Sequence, residues 1–242
     1  MQTIILAAGL GSRLGDLTAT LPKALIEVNA RPLIDYALLF ARRAGSSHVA
    51  VVGGYCHADV AARVVSQDPG ARIVENTDFR QGNILSLRAG LSGVEPRGGF
   101  LLMNTDHIYN PAIADLVREV TRAATDVTAF CDFDRTLGAD DMKVQLDADR
   151  RVATMSKQLD RWDAGYVGMT FVPAAAAPRY LDAFTAVATD ERANVEAILV
   201  DLARRNTPTH IADISGHGWL EIDEPHERDA AERALAANGW WR

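Results

Sequence analysis

Short apolar runs alternate with amphipathic stretches along the first half of the chain. The apolar runs typical of strands span residues 3–8, 48–53, 72–75 and 100–104. Between them lie stretches typical of helices, at residues 33–44, 58–65 and 85–91. The runs do not alternate polar with apolar residues, as expected of strands that helices cover on both faces. This order predicts an α/β fold with a doubly wound, mostly parallel sheet.

The second half of the chain has a different pattern. Two short strand-like segments, 143–146 and 151–155, flank a polar turn and predict a small β-hairpin lid on a mixed sheet. Further elements are a helix at 111–124, a strand at 167–172, helices at 180–189 and 194–205, a late strand WLEID and a helix at 227–237. Neither a repeat nor a linker interrupts this series, so we expect one domain over residues 1–242.

Composition and charge exclude several classes of protein. With 48% apolar residues among 242, the chain has the composition of an ordinary globular protein. The 25 basic and 32 acidic side chains give a net charge of −7 and form no basic run, which argues against a nucleic-acid partner. No stretch approaches the about 20 apolar residues that cross a membrane, and the start lacks the features of a signal peptide. We therefore expect a cytoplasmic protein that does not insert into membranes.

A glycine-rich segment follows the first predicted strand directly. After Ala8 the chain reads Gly9-Leu-Gly-Ser-Arg, and two glycines allow backbone N–H groups to approach an anion closely. Arg13 ends this segment and Lys23 follows a proline shortly after, so two cations are available to the same anion. Taken alone, the segment also fits a plain glycine turn. Together with the cations it predicts a phosphate-binding loop.

Two aspartates follow apolar strands. Asp106 comes just after FLLMN, and Asp223 ends the late strand WLEID. Open α/β sheets bind their ligands at the carboxyl ends of strands, and Mg²⁺ prefers carboxylate oxygens that it bridges to substrate phosphates. The alternatives are a helix cap or turn for Asp106 and a plain loop histidine for His107. Glu221 shares a strand face with Asp223 and is a substitute candidate.

Four segments carry a resemblance to a known group of enzymes. LAAGLGSRLG, LPKALIEV, LLMNTDHIY and WLEIDEP resemble the sugar-1-phosphate nucleotidyltransferase superfamily. The resemblance implies a Rossmann-like nucleotidyltransferase fold in which Lys23 contacts the reacting α-phosphate and Arg13 the departing pyrophosphate. It also implies that Asp106 and Asp223 hold Mg²⁺. The nucleotide contacts that it implies near the loop are Leu6, Ala7, Ala8, Gly9, Gly11, Ser12 and Thr105.

The segment NTDFRQGNILSLRAGL resembles the cytidylyltransferase branch of that superfamily, which includes phosphocholine, phosphonate and inositol-1-phosphate enzymes. The resemblance implies that Gln81, Gly82, Asn83 and Ser86 contact the base or ribose of CTP. Hydrogen-bonding side chains of this kind reject a base that cannot return their bonds. The structural alternative is that Asn83 and Ser86 cap the helix that follows.

The segment MSKQLDRWDAGYVGMTFV is similar to a stretch of inositol-1-phosphate cytidylyltransferases. By that similarity Lys157 meets the phosphate of the acceptor, and Lys143 adds a contact from the hairpin. The remaining candidates for acceptor contacts are Asp132, Tyr166 and Asn194. Inositol-1-phosphate is the first choice of acceptor, although Trp162, Tyr166 and Trp219 leave choline open. A homodimer is compatible with this interpretation.

Three other functions remain open. The first is a sugar-1-phosphate nucleotidyltransferase that uses another triphosphate. The second, from another class, is a catalytically inactive nucleotide-binding regulatory module with the same fold. The third is a protein like the molybdenum-cofactor guanylyltransferases, which shares the glycine segment but needs neither the late strand nor the hairpin.

Overall fold

The computed structural model describes residues 1–241. Its strands are β1 (Gln2–Ala7), β2 (Glu27–Val28), β3 (Arg31–Pro32), β4 (His48–Gly53), β5 (Arg72–Glu75), β6 (Gly99–Asn104), β7 (His107–Tyr109), β8 (Val127–Asp132), β9 (Lys143–Leu146), β10 (Val152–Ser156), β11 (Ala164–Pro173), β12 (Thr209–Asp213) and β13 (Trp219–Glu221). Its α-helices are α1 (Leu33–Arg43), α2 (His57–Gln67), α3 (Asn83–Leu91), α4 (Ile113–Ala123), α5 (Ala177–Val187), α6 (Glu196–Arg204) and α7 (Pro225–Asn238).

A nine-stranded mixed sheet forms the centre of the molecule. Its main path runs β10-β9-β11-β6-β1-β4-β5, and β8 pairs with both β11 and β12. β1 is parallel to β4 and to β6, whereas β11 runs antiparallel to β6 and β8. The predicted mostly parallel mixed sheet is therefore confirmed.

Helices cover both faces of this sheet, as β1 shows most directly. Ile4 and Leu6 belong to a core cluster with residues of α3, α5 and α6. Ile5 and Ala7, which alternate with them, belong to a second cluster with residues of α1, α2 and α4. Since successive side chains of a strand point to opposite faces, β1 is buried on both sides. This explains why its sequence is a continuous apolar run.

A third, smaller core joins elements from distant parts of the chain. It contains Leu14, Ile108, Ile222 and Leu235, which come from the segment after the glycine loop, β7, the end of β13 and α7. β13 pairs with β7 in a separate two-stranded sheet. The packing of this core fixes the backbone next to Arg13, His107 and Asp223.

The second half of the chain follows the prediction in part. β9 and β10 form the predicted antiparallel hairpin, and β9 also pairs with β11, so the hairpin forms one end of the central sheet. The strands β7, β8 and β12 were not predicted. Within residues 1–241, none of the helices has the length and apolar character needed to span a bilayer.

Candidate active site

A cleft of about 300 Å³ lies at the carboxyl ends of β1 and β6. β1 is flanked by β4 on one side and by β6 on the other, so the connections leave the sheet in opposite directions at this point. Such switch points open a crevice in α/β sheets. The two strand ends are joined by Thr105, whose backbone N–H and hydroxyl both donate to the carbonyl oxygen of Leu6, at 3.2 and 2.5 Å.

Most of the residues that the sequence predicted to contact the nucleotide and the metal line this cleft. Those in its lining are Leu6, Ala7, Ala8, Gly9, Gly11, Ser12, Arg13, Lys23, Gln81, Asn83, Ser86, Thr105, Asp106 and Asp223. Gly82 is absent from this lining. The lining also contains Ala24, Phe79 and Asn104, which sequence reasoning missed. Phe79 and Asn104 lie within the segments NTDFRQGN and LLMNTDHIY, so their position in those motifs was the available signal.

The glycine loop is shaped by its contact with Lys23. Gly11 has a φ of +69°, a left-handed conformation that glycine adopts without steric cost. A Cβ atom on Gly11 would lie 2.8 Å from the Cβ atom of Lys23. The loop therefore packs directly against the stem of Lys23, and both the loop and Lys23 line the cleft.

Lys23 bridges the two predicted metal-binding carboxylates. Its Nζ atom donates to Asp106 Oδ2 at 2.7 Å and to Asp223 Oδ1. Burial lowers the pKa of the Lys23 ammonium group, but the charges of Asp106 and Asp223 outweigh burial and raise this pKa above its ordinary value. Burial likewise raises the pKa of Asp106, while Lys23 and His107 lower it more and hold the carboxyl group well below its usual range. Both groups are therefore ionised at neutral pH.

Arg13 adds a second cation to the same cluster. Its guanidinium group lies 2.5 Å from Asp223 Oδ2 and 2.5 Å from Asp140 Oδ2. The side chain is 44% exposed, so the guanidinium group lies at the mouth of the cleft. An incoming polyphosphate would compete with these carboxylates for Arg13 and Lys23, because Arg and Lys bind phosphate oxygens as well as carboxylates.

The residues of this cluster fit a divalent cation. The Lys23 ammonium group already bridges Asp106 and Asp223, which demonstrates that a positive charge is accommodated between the two carboxylates. A second arrangement exists beside it, since ligand atoms of Asp106, His107 and Glu221 lie within 4.8 Å of one another. Asp106 and Asp223 both line the cleft, whereas His107 is only 4% exposed. The first pair is therefore the one that a cleft-bound phosphate reaches.

Two side chains of the predicted base-binding segment form hydrogen bonds within the protein, one of them to the chain just before α6. Asn83 Oδ1 accepts the N–H group of Val195 at 2.8 Å, and Ser86 Oγ accepts from Asn76 Nδ2 at 3.0 Å. Neither side chain caps the start of α3, where Gly82 occupies the cap position without a side-chain bond. The structural alternative of helix capping is therefore wrong for Asn83 and Ser86. Gly82 itself donates its N–H group to the carbonyl oxygen of Glu191.

Gly82→Ala is expected to destabilise the protein by about 1–3 kcal/mol because the added methyl group overlaps fixed backbone. A Cβ atom there would lie 2.2 Å from the carbonyl oxygen of Ala193. The measurement is urea-induced unfolding. Gly9→Ala is the matched control, since a Cβ atom on Gly9 meets nothing within 4 Å. Equal stability of the two variants would contradict the prediction.

Two predicted acceptor residues line a different cavity. Lys157 and Asn194 border a cavity of about 480 Å³ whose lining also includes Glu196 at the start of α6. Burial raises the pKa of Glu196, and the charge of Lys157 offsets part of this rise. Asn83, which lines the cleft, bonds to Val195 between Asn194 and Glu196, so the second cavity adjoins the cleft.

The other three predicted acceptor residues are buried and bonded within the protein. Lys143 is 5% exposed, donates to the carbonyl oxygen of Lys157 at 2.7 Å and lies over the ring of Trp162. Asp132 accepts the indole N–H group of Trp219 at 2.9 Å, and the hydroxyl group of Tyr166 bonds to that of Thr170. That these three contact an acceptor directly therefore stays a prediction, and within the fold their polar atoms bond to other protein groups.

Comparisons with known proteins give one family and a set of relatives. A family model described as "MobA-like NTP transferase domain" matches residues 3–207. The 2-aminoethylphosphonate cytidylyltransferase of Lancefieldella rimae is 35% identical over 116 residues, which are 46% of this chain and 47% of that protein. The bifunctional IPC transferase and DIPP synthase of Rubrobacter xylanophilus is 27% identical over 240 residues, which are 98% of this chain and 52% of that protein. The chain thus spans about half the length of these curated relatives.

A solved structure shares the fold over nearly the whole length. The inositol-1-phosphate CTP transferase from T. maritima superimposes with a TM-score of 0.81 at 18% identity, covering 97% of this chain and 96% of the other. At this identity the likeness concerns the fold alone. It agrees with the predicted α/β architecture.

Proposed function

The chain belongs to the family of MobA-like NTP transferase domains, and from this premise we propose that it transfers CMP from CTP to a small phosphorylated alcohol. The resemblance to the nucleotidyltransferase superfamily that the sequence predicted is thereby confirmed. In the proposed reaction a phosphate oxygen of the acceptor attacks the α-phosphorus of CTP. The new P–O bond forms as the bond to the β-phosphate breaks, and pyrophosphate leaves.

The observation that carries this proposal is the cluster of Lys23, Asp106 and Asp223 beside the glycine loop. Phosphoryl and nucleotidyl transfer depend on positioning and on fixed positive charge, and need no covalent nucleophile from the protein. Lys23 would hold the α-phosphate and Arg13 the departing pyrophosphate. Asp106 and Asp223 would hold Mg²⁺, which supplies charge to the phosphate oxygens when it is bound. Gln81, Asn83 and Ser86 supply amide and hydroxyl groups for the cytosine or ribose.

The choice of nucleotide is tested by supplying each triphosphate in turn and following pyrophosphate release with Mg²⁺ and a panel of acceptors. We expect CTP to exceed UTP, GTP and dTTP by at least about a hundredfold, since a hydrogen-bonding pocket rejects mismatched partners. GTP must be included among the triphosphates. The family match ends at residue 207 and so does not cover β13 or Asp223. The late strand β13 is one of the two features that set this chain apart from the guanylyltransferase alternative. Turnover with GTP but not with CTP would overturn the proposed base.

Inositol-1-phosphate is the acceptor that we propose first. Lys157 and Asn194 are the proposed contacts, and Lys143 would act indirectly by fixing the backbone of Lys157 through its bond to that carbonyl oxygen. A second candidate is 2-aminoethylphosphonate, favoured by the 35% identity to the Lancefieldella rimae enzyme. The acceptor panel therefore contains both compounds, together with phosphocholine and glucose-1-phosphate. Nucleotide binding without turnover on any acceptor would favour the inactive regulatory module instead.

A further inference from the structure

The imidazole ring of His107 belongs to a column of stacked flat side chains beside Asp106, which also contains Tyr109 and Trp219. Its centroid is 5.2 Å from that of Trp219 and 5.8 Å from that of Tyr109, with interplanar angles of 15° and 20°. The ring stacks against both of these neighbours, and only 4% of the residue is exposed. A plain loop histidine, the alternative raised by the sequence, has no such surroundings.

Both aromatic partners of His107 are fixed by further bonds. Tyr109 donates its hydroxyl group to the carbonyl oxygen of Val167 at 2.7 Å, and Trp219 donates its indole N–H group to Asp132. The guanidinium group of Arg135 lies over the ring of Trp219, with its Cζ atom 3.8 Å from the ring centroid. A side chain that stacks against two anchored rings has few rotamers open to it.

The edge of the imidazole is enclosed by a glycine. Gly168 in β11 has a φ of +69°, and a Cβ atom there would lie 2.9 Å from Cε1 of His107. The register between β11 and β8 also shifts between Tyr166 and Thr170, around this glycine. A larger residue would push the ring out of its present position.

The two carboxylate oxygens of Asp106 have different hydrogen-bond partners. Nδ1 of His107 lies 2.6 Å from Oδ1 of Asp106, and Lys23 binds Oδ2. An ionised carboxylate only accepts, so Nδ1 is the donor. The other ring nitrogen faces Glu221 Oε1 at 3.9 Å. Of the two oxygens, Oδ2 is therefore the one directed toward Lys23 and Asp223.

We infer that His107 is a positioning residue for Asp106. It holds the plane of the Asp106 carboxylate so that Oδ2 faces the cleft, both when Oδ2 binds Lys23 and when a divalent cation takes the place of Lys23. This inference rests on the proposed function, because it concerns the metal that the transfer would use. Hydrogen-bonding partners of this kind orient metal-binding carboxylates, and removing one typically weakens metal binding by about 10–100-fold.

Two complementary variants separate the hydrogen bond from the packing. His107→Phe keeps a flat ring in the column but has no N–H donor. His107→Asn keeps an amide donor near the position of Nδ1 but loses the ring. We expect His107→Phe to weaken Mn²⁺ binding by at least about tenfold and to lower kcat by a similar factor, with the KM for CTP changed by less than about threefold. His107→Asn should bind Mn²⁺ nearly as wild type and unfold at a lower temperature.

Mn²⁺ binding is measured by electron paramagnetic resonance on the full chain, and unfolding by calorimetry. Wild-type Mn²⁺ affinity in folded His107→Phe, or a loss in His107→Asn as large as in His107→Phe, would overturn the inference. If His107→Phe does not fold, His107→Asn alone decides: retained affinity supports the inference and lost affinity refutes it. Wild-type protein that binds Mn²⁺ but turns over no CTP would refute the proposed function alone, since the binding comparison is independent of turnover.

Discussion

Lys23→Met is expected to lower the rate of the proposed CMP transfer by about 10²–10³-fold, the usual cost of removing one group that stabilises transition-state charge. Methionine has nearly the length of lysine and carries no charge. The change leaves the backbone beside Gly11 in place but removes the ammonium group that contacts Asp106 and Asp223. The measurement is pyrophosphate release at saturating CTP, with Arg97→Met as a control because Arg97 is exposed and does not line the cleft.

The same variant has a second expected signature that does not depend on turnover. Without Lys23, the carboxylates of Asp106 and Asp223 face one another with no cation between them. Mg²⁺ should therefore raise the unfolding temperature of Lys23→Met more than that of wild type, because ligands that bind the folded state stabilise it. A near-normal rate in Lys23→Met, with no difference in the effect of Mg²⁺, would favour the inactive nucleotide-binding module.

The central elements of the fold are predictable from the sequence because each carries its own local signal. β1, β4 and β6 are apolar runs buried on both faces, and α1 shows apolar residues at helical spacing between Pro32 and Gly45. Two of the missed strands lack such signals, whereas β8 (VTAFCD) is a fully buried run of strand-forming residues that the prediction overlooked. β7 has three residues, and β12 has the mixed sequence THIAD, so each is a strand only because of its pairing with β13 or β8.

The sequence predicted which residues belong to the candidate site more fully than it predicted which of them contact one another. Strand ends and motifs predicted Lys23, Asp106 and Asp223 separately. That one ammonium group joins both carboxylates depends on packing, since these residues are 83 and 200 positions from Lys23 along the chain. The core of Leu14, Ile108 and Ile222 brings their neighbours together, and no local pattern describes that core.

Lys143 shows why the sequence does not reveal whether a predicted acceptor residue is exposed. Lys143 is a lone lysine at the start of a predicted hairpin, for which exposure is the ordinary expectation. In the fold its ammonium group is satisfied by the carbonyl oxygen of Lys157 and the face of Trp162, fourteen and nineteen residues further on. The sequence contains all three residues, but their contact depends on the pairing of β9 with β10 and β11.

Asp106→Asn and Asp223→Asn are each expected to lower turnover by at least about a thousandfold, because the amide keeps the size of the side chain but removes the charge that binds a hard divalent cation. The measurement is the rate at saturating CTP, together with Mn²⁺ affinity. Asp229→Asn, at an exposed position of α7, is the matched control and should match the wild type. Chelation of divalent cations should abolish wild-type turnover, and added Mg²⁺ should restore it.

Glu221→Gln distinguishes the two arrangements of carboxylates that the structure offers. If the cation is held between Asp106 and Asp223 in the cleft, Glu221→Gln should weaken Mn²⁺ binding far less than Asp223→Asn does. If it is held by Asp106, His107 and Glu221, whose ligand atoms lie within 4.8 Å of one another, the order should be reversed. Retained Mn²⁺ affinity and turnover in Asp223→Asn, with both lost in Glu221→Gln, would therefore remove Asp223 from the proposed site and transfer its role to Glu221.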